Sequence, residues 1–205
     1  VSASIGDTTA KLTNVERSNG EKRMFVHLIN KQMKALACCV LLLGLAQTAY
    51  AQTALKLSSS AFAPEGAIPK QFTCDGKNYS PALTWTDVPP NAKTLALIVE
   101  DPDSPGGTFV HWVVYNLPAT ARHLDPNVAE AFAISDGGEQ GRNSFGREGY
   151  AGPCPPSGAV HHYHFRLYAL DTSLKLQPGA SAVEVEAAMK GHVLASADFV
   201  GTYTR

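Results

Sequence analysis

The chain has 205 residues, with 17 Lys and Arg against 18 Asp and Glu for a formal net charge of −1, and 44% of it is hydrophobic. That balance excludes a highly charged disordered chain, and without a run of basic residues it excludes nucleic acid as the main partner. No apolar run is long enough to span a bilayer, so no stable membrane anchor is expected.

Residues 1–32 show neither sustained periodicity nor turn-bounded strands and are set apart from the fold, as a misplaced gene start or a disordered leader. Met33-Lys34 then opens a basic start, followed by the apolar core Ala35-Leu36-Ala37-Cys38-Cys39-Val40-Leu41-Leu42-Leu43 and an Ala49-Tyr50-Ala51 end. That pattern predicts a secretory signal peptide over 33–51, cleaved after Ala51. The remaining 52–205 form one domain, with 11 Lys and Arg against 15 Asp and Glu for a net of −4. Of four cysteines only Cys74 and Cys154 survive cleavage. In an oxidising compartment they are expected to pair, closing a loop of about 80 residues that the chain-entropy model values at about 4 kcal/mol. A catalytic thiol at Cys154 is the alternative, and export argues for pairing.

Short strand-like runs separated by Pro, Gly, Asn and Asp follow. Strands are expected at 55–59 and 82–85, with a turn at 87–91. Residues 94–100 put Leu95, Leu97 and Val99 on one face and Ala96 and Ile98 on the other, which predicts a central strand. Asp101 continues the first parity, so its carboxylate is expected to emerge on the core side. Asp103 shares that side only if the backbone stays extended through Pro102. Residues 109–115 are apolar on both faces around His111. The stretch 118–156 reads as loop-rich with one or two short strands.

In 163–170, Tyr163, Phe165, Leu167 and Ala169 alternate with His164, Arg166 and Tyr168. His161 shares the apolar parity and is expected at the rim of the core, whereas His162 and His164 are expected at the surface. Ser181 with Glu184 is a capping box opening a helix that runs to Gly191, and 197–203 read as a last strand. Strands throughout with one late helix favour a β-sandwich decorated by helix.

Asp101-Pro102-Asp103-Ser104-Pro105 with His111, and Gly149-Tyr150-Ala151-Gly152-Pro153-Cys154-Pro155-Pro156-Ser157-Gly158 leading to His161 and Tyr163, have the composition of a polar pocket. His111 beside an aspartate would be an oriented imidazole with one nitrogen left for a ligand. A metal at His162-x-His164 lacks indicated third and fourth ligands, so neither metal nor cofactor is expected. No Gly-x-Ser-x-Gly elbow accompanies Ser144 or Ser157, although Asp and His together permit acid–base chemistry. For an anion the segments offer imidazoles, a phenol and backbone N–H groups, with affinity rising as pH falls into the imidazole range.

The chain resembles the phosphatidylethanolamine-binding protein family, in its bacterial branch of Raf-kinase-inhibitor-like proteins. The resemblance rests on Phe72-Thr73-Cys74-Asp75-Gly76, Ser80-Pro81, Trp85, the 101–105 segment and His111-Trp112-Val113-Val114. It continues through Asn116-Leu117-Pro118, Gly141-Arg142-Asn143, Phe145-Gly146, the 149–158 segment and His161-His162-Tyr163.

The resemblance implies a β-sandwich of two antiparallel sheets with a short late helix and a small pocket for phosphate-like or acetate-like anions at one end. By position it implies ligand-binding roles for Asp101, Asp103, His111, Tyr150, Gly152, Pro156, His161 and Tyr163. The departures are His162 in place of a basic residue, a shortened 104–109 segment, and a strand where animal members carry a gating C-terminal helix. Kinase regulation is therefore not carried over. The expected function is a secreted, periplasmic, non-enzymatic receptor for a small anion or phosphorylated headgroup. The alternatives are a protein-interaction or inhibitor module for a protease or kinase partner, and, behind it, a small esterase or phosphatase. A homodimer is compatible with either binding reading.

Overall fold

The computed structural model describes residues 54–135 and 137–205, so the expected leader and signal peptide lie outside the described residues. The fold rests on one strand, β3 (Thr94–Asp101), in which all eight residues are buried. Its apolar residues on both faces leave no solvent side, so the strand needs cover on each. One cover is a three-stranded sheet, order β1-β2-β5, built from β1 (Lys56–Ser58), β2 (Leu83–Thr86) and β5 (His123–Leu124). β3 itself lies at the centre of a five-stranded sheet, order β6-β4-β3-β7-β8. Its companions are β4 (Phe109–Pro118), β6 (Glu139–Gln140), β7 (His161–Leu170) and β8 (Val193–Tyr203). All strand pairings in both sheets are antiparallel.

Leu95, Leu97 and Val99 join Trp85, Trp112, Phe165, Leu167 and Phe199 in the main core. On the opposite face Ala96 and Ile98 meet Val113, Tyr115 and helix α1 (Ala182–Met189), which contributes Val185 and Met189. The sandwich with one late helix expected from the sequence is thus present, as two open sheets. The capping box forms as the sequence indicated: the Glu184 N–H donates to the Ser181 hydroxyl, and the Ser181 N–H donates to the Glu184 carboxylate at 2.7 Å.

Two details of β4 were not visible in its alternation. Leu95 pairs with Leu117 but Leu97 with Val114, and Val99 pairs with Trp112 but Glu100 with Val110, so β4 carries an extra residue at each step. Asn116 supplies the first irregularity, with φ of 56° and a side chain that accepts from the Leu174 N–H at 2.8 Å and donates to its carbonyl at 2.9 Å. His111 is the extra residue of the second. A bulge breaks the in-out alternation and re-aims the side chain, so His111 packs on the Tyr163 ring with centroids 5.1 Å apart, while Val113 and Tyr115 face the helix. Strict alternation would put His111, Val113 and Tyr115 on one face.

Cys74 and Cys154 form the expected disulfide, at a sequence separation of 80. Replacing both with serine is predicted to leave the sheets intact and to lower the unfolding free energy by about 4 kcal/mol. Denaturant titrations of the two proteins, with unchanged far-UV circular dichroism, check this.

Candidate functional site

The central strand delivers Asp101 to the end of the sandwich, and β7 begins beside it with His161. Asp101 Oδ2 lies 2.7 Å from His161 Nδ1, with both side chains about 95% buried (5% exposed each). The other carboxylate oxygen accepts from the Asp103 N–H at 2.8 Å. A buried carboxylate needs such partners on both oxygens. The pair fixes the imidazole plane and leaves Nε2 as the ring nitrogen available to a ligand.

His111 is oriented independently. Its Nδ1 lies 2.6 Å from the Ala151 carbonyl, which can only accept, so Nδ1 carries the proton and Nε2 the lone pair. Burial, the dominant influence, pushes the His111 pKa below the ordinary histidine value. At neutral pH His111 is therefore an uncharged ring.

Tyr163 lies between the two histidines. Its side chain is buried, and its hydroxyl makes no hydrogen bond of normal length, although the Asp101 carboxylate is close enough to act on it as an acceptor. Burial first, and the Asp101 charge second, raise its pKa well above the ordinary tyrosine value, so the group is a protonated donor. Leaving a buried donor unpaired costs about 1–3 kcal/mol. The site tolerates that cost.

These groups open into a pocket of about 240 Å³. Asp101, His111, His161 and Tyr163 form its polar floor, Pro155 and Pro156 with Cys154 one wall, and Ser104, Pro105, Phe109 and Phe145 the remainder. Phe109 meets Phe145 edge-on at 4.9 Å, and Phe145 is 53% exposed at the lip. Prolines fix φ, so this wall is stiff by composition. Among the described residues no group of three or more His, Cys, Asp or Glu is placed to hold a metal ion.

The expected residues divide. Asp101, His111, Pro156, His161 and Tyr163 line the pocket, and Asp103, Tyr150 and Gly152 do not. The chain turns after Asp101, so Asp103 points outward, accepting from the His162 backbone N–H at 2.9 Å and pairing with its Nδ1 at 2.7 Å. Those bonds from His162 hold the Asp103 carboxyl below the usual range. Tyr150 is a core residue whose hydroxyl donates to the Phe72 carbonyl at 2.9 Å. At Gly152 a Cβ would lie 2.3 Å from the Phe72 carbonyl oxygen, and its N–H donates to Asn78 Oδ1 at 2.8 Å. Both position the pocket wall from behind. His162 and His164 are outside, paired with Asp103 and Asp198.

Ser104, Pro105, Phe109, Phe145 and Pro155 also line the pocket, beyond the residues expected from the sequence. The first two stand within the 101–105 segment and Pro155 within 149–158, so motif membership was an available signal. Phe145 lies in an irregular loop, where the Phe145-Gly146 match to the family was the available signal and no periodicity points to the pocket.

A family model described as phosphatidylethanolamine-binding protein matches residues 58–204. A UPF0098 protein of Methanothermobacter thermautotrophicus is 52% identical over 151 residues, covering 74% of this chain and 99% of the relative. One from Aquifex aeolicus is 47% identical over 156 residues, covering 74% and 89%. Among solved structures, a phosphatidylethanolamine-binding protein homologue from Chlamydia trachomatis superposes with a TM-score of 0.68 at 41% identity, covering 74% of this chain and 98% of that one. Escherichia coli YbcL, described as a new member of the mammalian family, gives 0.69 at 32% identity with the same coverage.

The depressed His111 pKa has a signed consequence. An unfolded histidine binds its proton near pH 6.5, while folded His111 resists it, so between those values the unfolded state holds more protons. That contribution destabilises the fold as pH falls below about 6.5 and levels off below the folded pKa. His111→Asn keeps an N–H for the Ala151 carbonyl but cannot titrate. The variant's stability is predicted to fall less steeply than the parent's from pH 6.5 downward in parallel denaturant titrations.

Proposed function

The chain belongs to the phosphatidylethanolamine-binding protein family, and on that premise we propose that its pocket is a receptor for a small anion, such as a phosphate or a phosphorylated headgroup. The observation that carries this is the Tyr163 hydroxyl, a buried donor kept protonated at the pocket floor, with Asp101 near it but no hydrogen bond of normal length made. A ligand that supplies an acceptor oxygen there relieves the unpaired donor and gains a charge-assisted bond. His161 adds a second donor when protonated, since Nδ1 faces Asp101 and Nε2 carries the other N–H. The cationic ring and the carboxylate then sum to no net charge, and the ligand's negative charge meets a preoriented N–H.

The same geometry gives little support to hydrolysis. Ser104 is the hydroxyl-bearing side chain besides Tyr163 that lines the pocket, and among the described residues no hydrogen bond joins it to His111 or His161. Cys154 is held in a disulfide. A nucleophile without an adjacent base is weak, which favours binding over a serine or thiol hydrolase in this reading. An exported, periplasmic location is part of the same proposal, supported by a disulfide of a kind that persists in oxidising compartments.

A second reading, a module that captures an anionic group on a protein partner, draws support from Phe145. This large apolar side chain is 53% exposed beside the opening, where a partner's own apolar surface would cover it.

Calorimetry with inorganic phosphate, phosphoethanolamine and acetate tests the proposal, with product assays on a phosphomonoester run alongside. Saturable binding without turnover is expected, lost in His161→Ala. Tyr163→Phe is predicted to weaken phosphate by about tenfold or more while leaving stability nearly unchanged, because the hydroxyl it removes makes no hydrogen bond of normal length in the free protein. Equal affinity in the parent and Tyr163→Phe would contradict the assignment.

A further inference from the structure

The disulfide stands at the pocket itself. Cys154 is part of the wall, and both Cys154 and its partner Cys74 are exposed to solvent. Exposed disulfides are the ones open to exchange with an incoming thiolate.

The two sulfurs are not equivalent. Arg205 Nη1 lies 3.9 Å from Cys154 Sγ, while its Nε and Nη2 grip the Asp75 carboxylate at 3.1 and 3.0 Å. A fixed guanidinium beside one sulfur stabilises negative charge there, and in thiol–disulfide exchange the sulfur that better bears the charge leaves faster. We propose that Cys74–Cys154 is a thiol–disulfide exchange site, attacked at Cys74 by a dithiol reductant, and that its opening weakens anion binding by loosening the pocket wall. The coupling to binding rests on the receptor function above.

In the first step the reductant's thiolate bonds to Cys74 Sγ, and the Cys74–Cys154 bond breaks with its electron pair going to Cys154 as a thiolate beside Arg205. In the second the reductant's other thiolate attacks its own sulfur of the mixed disulfide and Cys74 departs as a thiolate that takes a proton from water. The reductant ends as a disulfide and the protein has gained two electrons. The wall does not fall away, because the Cys74 N–H still donates to the Pro153 carbonyl at 3.1 Å and the Gly158 N–H to the Arg205 carbonyl at 3.1 Å. Residues between those anchors lose their covalent tether and the fold persists.

The test uses the full chain in a Cys38→Ser/Cys39→Ser background, oxidised, challenged with glutathione, quenched by alkylation and mapped by peptide mass. The adduct is expected on Cys74 with Cys154 free, by about tenfold over the reverse, and Arg205→Gln is expected to slow exchange and abolish the bias. An adduct mainly on Cys154, no adduct, or an unchanged bias in Arg205→Gln would overturn the exchange site. Phosphate affinity is expected to fall about tenfold on reduction with dithiothreitol and to return on reoxidation, and equal affinities would overturn the coupling. If the oxidised chain binds no phosphate, the receptor function fails by itself. Hydrogen exchange at the Cys154 and Ser157 amides, the non-proline positions of 153–157, then decides the loosening: faster exchange on reduction supports it and unchanged exchange overturns it.

Discussion

A carboxylate taken out of water has to be satisfied on both oxygens, and Asp101 meets that condition by holding two pieces of chain in place. One oxygen takes the Asp103 N–H, turning the backbone away from β3, and the other takes His161 Nδ1 at 2.7 Å, binding the start of β7 to the end of β3. The pair stands in the same sheet whose inner face carries the main core. Its position therefore inherits the rigidity of the most buried strand in the molecule. An orienting carboxylate behind a histidine fixes which nitrogen faces outward, and that is the property a receptor pocket needs from it.

From this anchor the other groups follow by packing. The bulge in β4 swings His111 against Tyr163, and the Ala151 carbonyl sets its tautomer. Tyr163 packs against His111 and lines the same pocket as His161, and its buried hydroxyl makes no hydrogen bond of normal length within the protein. A buried unpaired donor is unfavourable for folding, which is why it serves as the observation that points to a ligand. The wall opposite is held from outside the pocket, by Tyr150 on Phe72, by Gly152 on Asn78 and by the disulfide. Residues grouped with the site by resemblance thus act at two distances, some facing the ligand and some fixing the backbone that faces it.

Much of this was legible in the chain because the strongest signals are local. Residues on both faces of β3 and the clean alternation of β7 are burial patterns, and burial is what sets strand parity. The capping box is likewise written in two residues three apart. The bulge at His111 was not legible, since a one-residue insertion against the neighbouring strand leaves no mark on a sequence read alone. Asp103 was left conditional on an extended backbone, and the turn after Asp101 settled it outward, where His162 pairs with it. Phe145 stands among the residues that carry the resemblance, but its place at the lip depends on how a long irregular loop returns to the sheet, a tertiary fact with no periodicity behind it.

The acceptor oxygen of a bound anion is proposed to meet the Tyr163 and His161 donors, with neutral His111 lining the same pocket. Nitrogen-15 spectra of the histidine side chains, followed while inorganic phosphate is added, test it most directly. Saturable shifts are expected at His161 Nε2, which meets the oxygen, and at the neighbouring His111 ring, sharing one dissociation constant, with His162, His164 and His192 unmoved. Shifts confined to the exposed histidines, or none at any concentration that a specific site would register, would contradict it.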